Sequence, residues 1–84
     1  MTKKVNLTIT VCFKDGRRVK LKEPAELPGI DGNRKALFMF SDLSVYYGTT
    51  DGEVDEDGDF CIKSTTGRMI GMPYDRLRGW AYVD

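Results

Sequence analysis

At 84 residues, 40% of them apolar and 31% charged, the chain is long enough for one small hydrophobic core, too short for a second domain and too apolar to stay disordered. Thirteen basic residues offset thirteen acidic ones, which removes any overall field of one sign that would draw it to nucleic acid or an anionic membrane. No stretch approaches the ~20 apolar residues of a membrane span, "MTKK" is not followed by the apolar run of a signal peptide, and two cysteines are too few for a disulfide scaffold, so the expectation is a cytoplasmic protein with Cys12 and Cys61 reduced. The neutrality hides a split. Residues 1–38 carry nine Lys/Arg against four Asp/Glu, and residues 39–84 four against nine, an arrangement suited to head-to-tail or heterotypic contacts.

"VNLTITVCFK" places Val5, Leu7, Ile9, Val11 and Phe13 at every second position, the period of a half-buried strand. Asp15-Gly16 then predicts a tight hairpin, with positive φ at both central residues, into "RRVKLK". "EPAELPGIDGNR" holds Pro24, Pro28, Gly29 and Gly32 and reads as a loop. "KALFMF" resumes as a strand apolar on both faces, which belongs near the middle of a closed or sandwiched sheet, and "LSVYY" pairs beside it. After the acidic run, "DFCIK" and "MIGM" form a hairpin around "STTGR". "PYDRLRG" reads as the one helical turn of the chain, a 3₁₀ turn within residues 74–78, and "WAYVD" as the last strand.

Five to six short antiparallel strands separated by turns predict an all-β fold, a small barrel or sandwich. A long first hairpin, a loop-rich middle, a hairpin and then the Pro73-Tyr74 turn into a terminal strand resemble SH3-like barrels, which have a 3₁₀ turn before the last strand, and more coarsely Sm-like barrels. The peptide-groove motifs of SH3 domains and the RNA-binding signatures of Sm proteins are absent, so neither ligand carries over.

"EVDEDGDF" is the stretch that looks most like a metal site. With Gly58 at the sixth position of an EF-hand loop, Asp55 and Asp57 occupy the third and fifth, but Glu53 stands first and Ser64 twelfth, where a bidentate glutamate is required. Asp57-Gly58 is a good turn pair leading into a strand. The run is therefore expected to turn the chain and to hold no ion.

"RVKLK" with "DLSVYYG" resembles the RxxxR and (D/N)xSxxG elements of PilZ domains, β-barrels that bind a cyclic dinucleotide. The resemblance would put Arg18 with Asp42, Ser44 and Gly48, but Lys22 replaces the second arginine and Gly48 is one residue out of step. Lys14, Arg17, Arg18, Lys20 and Lys22 form a basic strip that would suit phosphates, with Tyr46 or Tyr47 available for stacking. The plainer reading is a solvated strand face.

Tyr46, Tyr47, Tyr74, Trp80 and Tyr82 make the remaining candidate surface, with Arg76 and Arg78 at its rim, for a protein or peptide partner or a second copy. Alternation in "WAYVD" puts Trp80 and Tyr82 on one face and Ala81 and Val83 on the other, so a single-sided core leaves one pair outward. No histidine is present to activate either cysteine, and a barrel this small fills its interior with side chains. The expectation is a non-catalytic interaction module without cofactor, with nucleic-acid or nucleotide binding by the first hairpin as the alternative.

Overall fold

The computed structural model describes residues 9–83, so the expected start of the first strand at Val5 and Leu7 lies outside the described residues. The elements are β1 (Thr10–Cys12), β2 (Arg18–Lys20), a first 3₁₀ helix (Pro24–Gly29), β3 (Ala36–Phe40), β4 (Val45–Gly48), β5 (Asp59–Lys63), β6 (Met69–Pro73), a second 3₁₀ helix (Tyr74–Arg76) and β7 (Leu77–Tyr82). Among the described residues strand is the main regular structure and every ladder is antiparallel. Three sheets form, β1-β2, β4-β3-β7 and β5-β6, and two isolated bridges, Lys22 with Trp80 and Thr49 with Lys63, stitch them together. Backbone pairing therefore runs β1-β2-β7-β3-β4-β5-β6. Among the described residues no ladder returns from β6 to β1, so the sheets are not closed into a barrel, and no helix is long and apolar enough to cross a membrane.

The core has two parts, one on each face of the β3-β7 pair. On the inner face Phe38, Phe40, Phe60, Ile62, Leu77 and Trp80 pack with Leu27, Ile30 and Ala36. On the outer face Leu21, Leu37 and Ala81 are buried beneath Ile9, Val11, Phe13 and Val19 of the first hairpin. This double cover is why "ALFMF" is apolar at every position. It also removes the choice posed for "WAYVD": Trp80 and Ala81 are both buried and Tyr82 and Val83 both half-buried, because β7 is covered on both sides.

Seven strands form where five to six were expected, since both strands of the first hairpin and both of the β5-β6 hairpin are separate elements, and two further differences from the expected elements have local causes. "PAELPG" is a 3₁₀ helix rather than a loop, so the chain has a second helical segment besides the one expected in 74–78. Pro24 at its first position needs no N–H donor, the Glu26 carboxylate accepts the Glu23 N–H at 2.9 Å, and the fully buried Leu27 pins it to the core. The second helix is shorter than expected, and β7 begins already at Leu77, with Arg78 as an extra residue where the β3-β7 register shifts between Met39 and Phe40.

Candidate functional site

Four hairpin turns are built alike. The N–H groups of Phe13, Phe40, Asp55 and Ser64 donate to the carbonyls four residues on, at 2.8, 3.0, 2.8 and 2.8 Å, and the residue before each acceptor donates back at 2.9–3.0 Å. Each is a three-residue loop whose third residue adopts the left-handed conformation. Gly16, Gly58 and Gly67 supply it with φ of 88°, 83° and 87°, and Leu43 takes it at 69°. Asp15 is not in that region, so the first hairpin turns on three residues with one positive φ rather than on two.

Leu43 is the exception that chemistry must account for. A β-carbon in this region costs roughly 1–2 kcal/mol, and the side chain is 73% exposed, so no burial repays it. The Asp42 carboxylate holds the turn, accepting the Ser44 N–H at 3.0 Å and its hydroxyl at 2.6 Å. The Ser44 hydroxyl foremost, then its N–H, keep the Asp42 pKa below its ordinary value, with a smaller contribution from the Arg76 guanidinium. The Arg76 carbonyl accepts the Ser41 N–H at 2.8 Å, which sets the second 3₁₀ helix beside the tip, and the extra residue Arg78 lies next to Phe40. Both arginines are exposed.

From the tip the apolar row continues along β4. Val45 and Tyr47 face the same way as their partners Met39 and Leu37, on the face that the first hairpin covers. That cover reaches β7 and β3 but stops short of β4, so Val45 stays 39% and Tyr47 43% exposed, with the Lys35 ammonium 5.8 Å from the Tyr47 ring.

The other aromatic residues do not share this surface. Tyr46 points inward, edge-on to Phe40. Tyr74 stands edge-on to Phe60 and donates its hydroxyl to the Pro24 carbonyl at 2.7 Å. Tyr82 stands edge-on to Trp80, accepts the Asp31 N–H at 2.8 Å and lies under the Arg34 guanidinium at 3.8 Å. Trp80 itself is 2% exposed, with its indole N–H buried and unpartnered. Of the seven residues expected at a partner surface, Tyr47, Arg76 and Arg78 are therefore exposed.

Lys14, Arg17, Arg18, Lys20 and Lys22 are all exposed, since Val19 and Leu21 take the inward positions. Arg17 lies over the Phe13 ring at 4.9 Å and Lys22 over Trp80 at 5.6 Å. The residues resembling a PilZ set are not brought together. With Lys22 opposite Trp80, Arg18 runs toward the Tyr82 end of β7, whereas Asp42 lies beyond the Leu77 end. Gly48 has a packing role, since a β-carbon there would strike the Lys63 carbonyl.

The acidic run turns the chain. Asp55 Oδ1 accepts the N–H groups of Asp57 and Asp59, each at 2.9 Å, and among the described residues no group of three or more Cys, Asp or Glu is disposed to hold a metal ion. Beside the turn lies a surface cavity of about 220 Å³ lined by Asp51, Glu53, Val54, Asp55, Asp59 and Cys61. It exists because residues 50–54 bow away from β5 between the Thr49 bridge and the Asp55-Asp59 bonds. The chain matches no protein-family model, no curated protein and no solved structure.

Sequence reasoning passed over Leu43. The signal is there when the turns are aligned: "FKDGR", "DEDGD" and "STTGR" have glycine where "FSDLS" has leucine.

Proposed function

We propose that this chain is a non-catalytic interaction module, an SH3-like barrel, that binds a protein or peptide through Leu43, Val45 and Tyr47, with Arg76 and Arg78 beside the tip. Support for the barrel comes from the order β7-β3-β4-β5-β6, a meander whose last strand follows a 3₁₀ turn and returns beside the first. Leu43 carries the functional reading. Backbone strain retained at an exposed apolar side chain has no return within the fold, and strain of this kind collects at ligand contacts. An exposed apolar row continuous with a buried cluster is where a partner gains most by excluding water.

The test is a substitution with opposed effects. Leu43→Gly is expected to stabilise the fold by about 1 kcal/mol, strain relief less the chain entropy of glycine, while abolishing retention of the partner that immobilised wild-type protein captures. Tyr47→Ala should weaken the same interaction without stabilising. A partner held equally by wild type and Leu43→Gly would sink the proposal. The second reading, contact with nucleic acid or a nucleotide through the first hairpin, is favoured by the exposure of all five of its cations. It would announce itself as RNA or DNA affinity falling steeply with salt.

A further inference from the structure

We infer that this chain pairs with a second copy of itself along β6, strand to strand and antiparallel, about a two-fold axis at Gly71. The surface is separate from the row formed by Leu43, Val45 and Tyr47. The register of the β5-β6 hairpin fixes which main-chain groups face outward. The Ser64 N–H donates to the Arg68 carbonyl at 2.8 Å and the Tyr74 N–H to the Gly58 carbonyl at 2.9 Å. Alternation between those points gives the main-chain groups of Ile70 and Met72 to Ile62 and Phe60 of β5 and turns the N–H and C=O of Met69 and Gly71 away from it. Among the described residues no strand covers that edge and no main-chain bond reaches it. Such edges are ordinarily blunted by a charge or a bulge. "MIGMP" has no charge, its ladder with β5 is unbroken, and Met69 is 61% exposed. Gly71 has no role inside the chain, since its φ is outside the left-handed region and a β-carbon there would meet nothing within 4 Å. A glycine in a strand interior marks a place where another backbone approaches closely.

The strand is complementary to itself. Antiparallel pairing about Gly71 lets the two Gly71 residues exchange N–H and C=O, and each Met69 N–H donates to the Pro73 carbonyl of the other copy. Pro73 ends the pairing there, because it has no N–H to return. On one face Met69 meets Pro73 of the other copy, and on the other face the half-buried Ile70 meets its half-buried Met72, so apolar side chains meet on both faces. The charges choose the same orientation. At the turn end of the hairpin stand the exposed Lys63 and Arg68, with Asp51 across a cavity from Lys63. At the far end stand Asp55, Glu56, Asp57, Asp59 and Asp75, with Arg76 acting on Asp42. Antiparallel pairing lays the basic end of each copy against the acidic end of the other and sets Arg68 opposite Tyr74, next to Asp75. A parallel pairing would set like ends together.

Sedimentation velocity over a concentration series, with amide exchange followed by NMR, tests this. Wild type should dimerise, and the Gly71 N–H should exchange more slowly as concentration rises. Gly71→Pro removes an N–H that β5 does not use, so the fold should persist while dimerisation weakens roughly tenfold or more. Should circular dichroism show that variant unfolded, Met69→Lys takes its place with the same expected loss. Arg68→Glu and Asp75→Arg should each weaken the dimer, and an equimolar mixture of the two should restore it, because opposite charges then meet at both ends of the pair. Wild type that stays monomeric up to about 1 mM, association that leaves Gly71 exchange unchanged, or a mixture no tighter than its components would overturn the inference.

Discussion

The turns at Phe40–Ser44 and Asp55–Asp59 have the same backbone and opposite chemistry. Each closes with the same pair of main-chain hydrogen bonds and each uses an aspartate to hold the following N–H groups. The second 3₁₀ helix ties them together, since Tyr74 donates to the Gly58 carbonyl at 2.9 Å and Arg76 accepts from Ser41 at 2.8 Å. One turn meets its left-handed position with glycine and surrounds it with carboxylates. The other meets it with an exposed leucine beside the Asp42 carboxylate, on which Arg76 acts. The backbone geometry is common to both turns and does not require that difference.

The largest effect tests whether both turns depend on one core. Trp80→Ala should cost about 3–5 kcal/mol, a large part of the roughly 5–10 kcal/mol of a domain this size. In a denaturant titration followed by NMR, both turns should be lost in a single transition, and separate transitions would break the pairing. Trp80→Phe should cost much less, because it also removes the buried indole N–H that has no partner. The Trp80→Ala variant thus reports on folding and cannot report on a binding surface.

Exchange of the two left-handed residues should have opposite signs. Gly58→Leu is expected to destabilise by about 1 kcal/mol, the strain less the chain entropy that glycine carries, against a gain of about 1 kcal/mol for Leu43→Gly, which in a domain this size is a rise of about 4–8 °C in Tm. Equal signs would mean that the turns differ in more than the residue.

Asp55 separates an acceptor from a charge. Asp55→Ala leaves two N–H groups without their acceptor and should cost about 1 kcal/mol. Asp55→Asn with Asp57→Asn keeps an acceptor and should leave stability within ~0.5 kcal/mol. Calcium should leave the wild-type Tm unchanged, whereas an ion at a hundred times its Kd would add about 2.7 kcal/mol.

The smallest effect concerns Asp42. Its pKa is lowered in the folded chain, so its contribution is present at neutral pH and disappears as pH falls from the ordinary carboxylate range through the depressed value. Ser44→Ala, which removes the largest cause, should move the Asp42 carboxyl titration seen by NMR back upward.

The strands were legible because each lesson was local. Val11 and Val19 alternate with polar neighbours, "ALFMF" is apolar on both faces, and the glycines of "KDGR", "EDGD" and "TTGR" announce the turns. The first 3₁₀ helix was hidden because two prolines read as loop when the burial of Leu27 is unknown. The aromatic surface was misplaced for a related reason. Tyr46, Tyr74 and Tyr82 each combine an apolar ring with a polar tip, and the sequence does not say whether the ring meets Phe40, Phe60 and Trp80 or solvent.

The chain by itself determined an antiparallel all-β domain, its three glycine turns and the separation of basic and acidic halves, because strand alternation and turn propensities depend only on near neighbours. The tertiary structure decided that the first hairpin covers β3 and β7 but not β4, and so that Trp80 is buried while Tyr47 is exposed. It also put Arg76 beside Leu43 and opened the acidic cavity next to β5. Those outcomes depend on which distant segments pair, Lys22 with Trp80 and Thr49 with Lys63, and a local pattern holds no record of distant pairing.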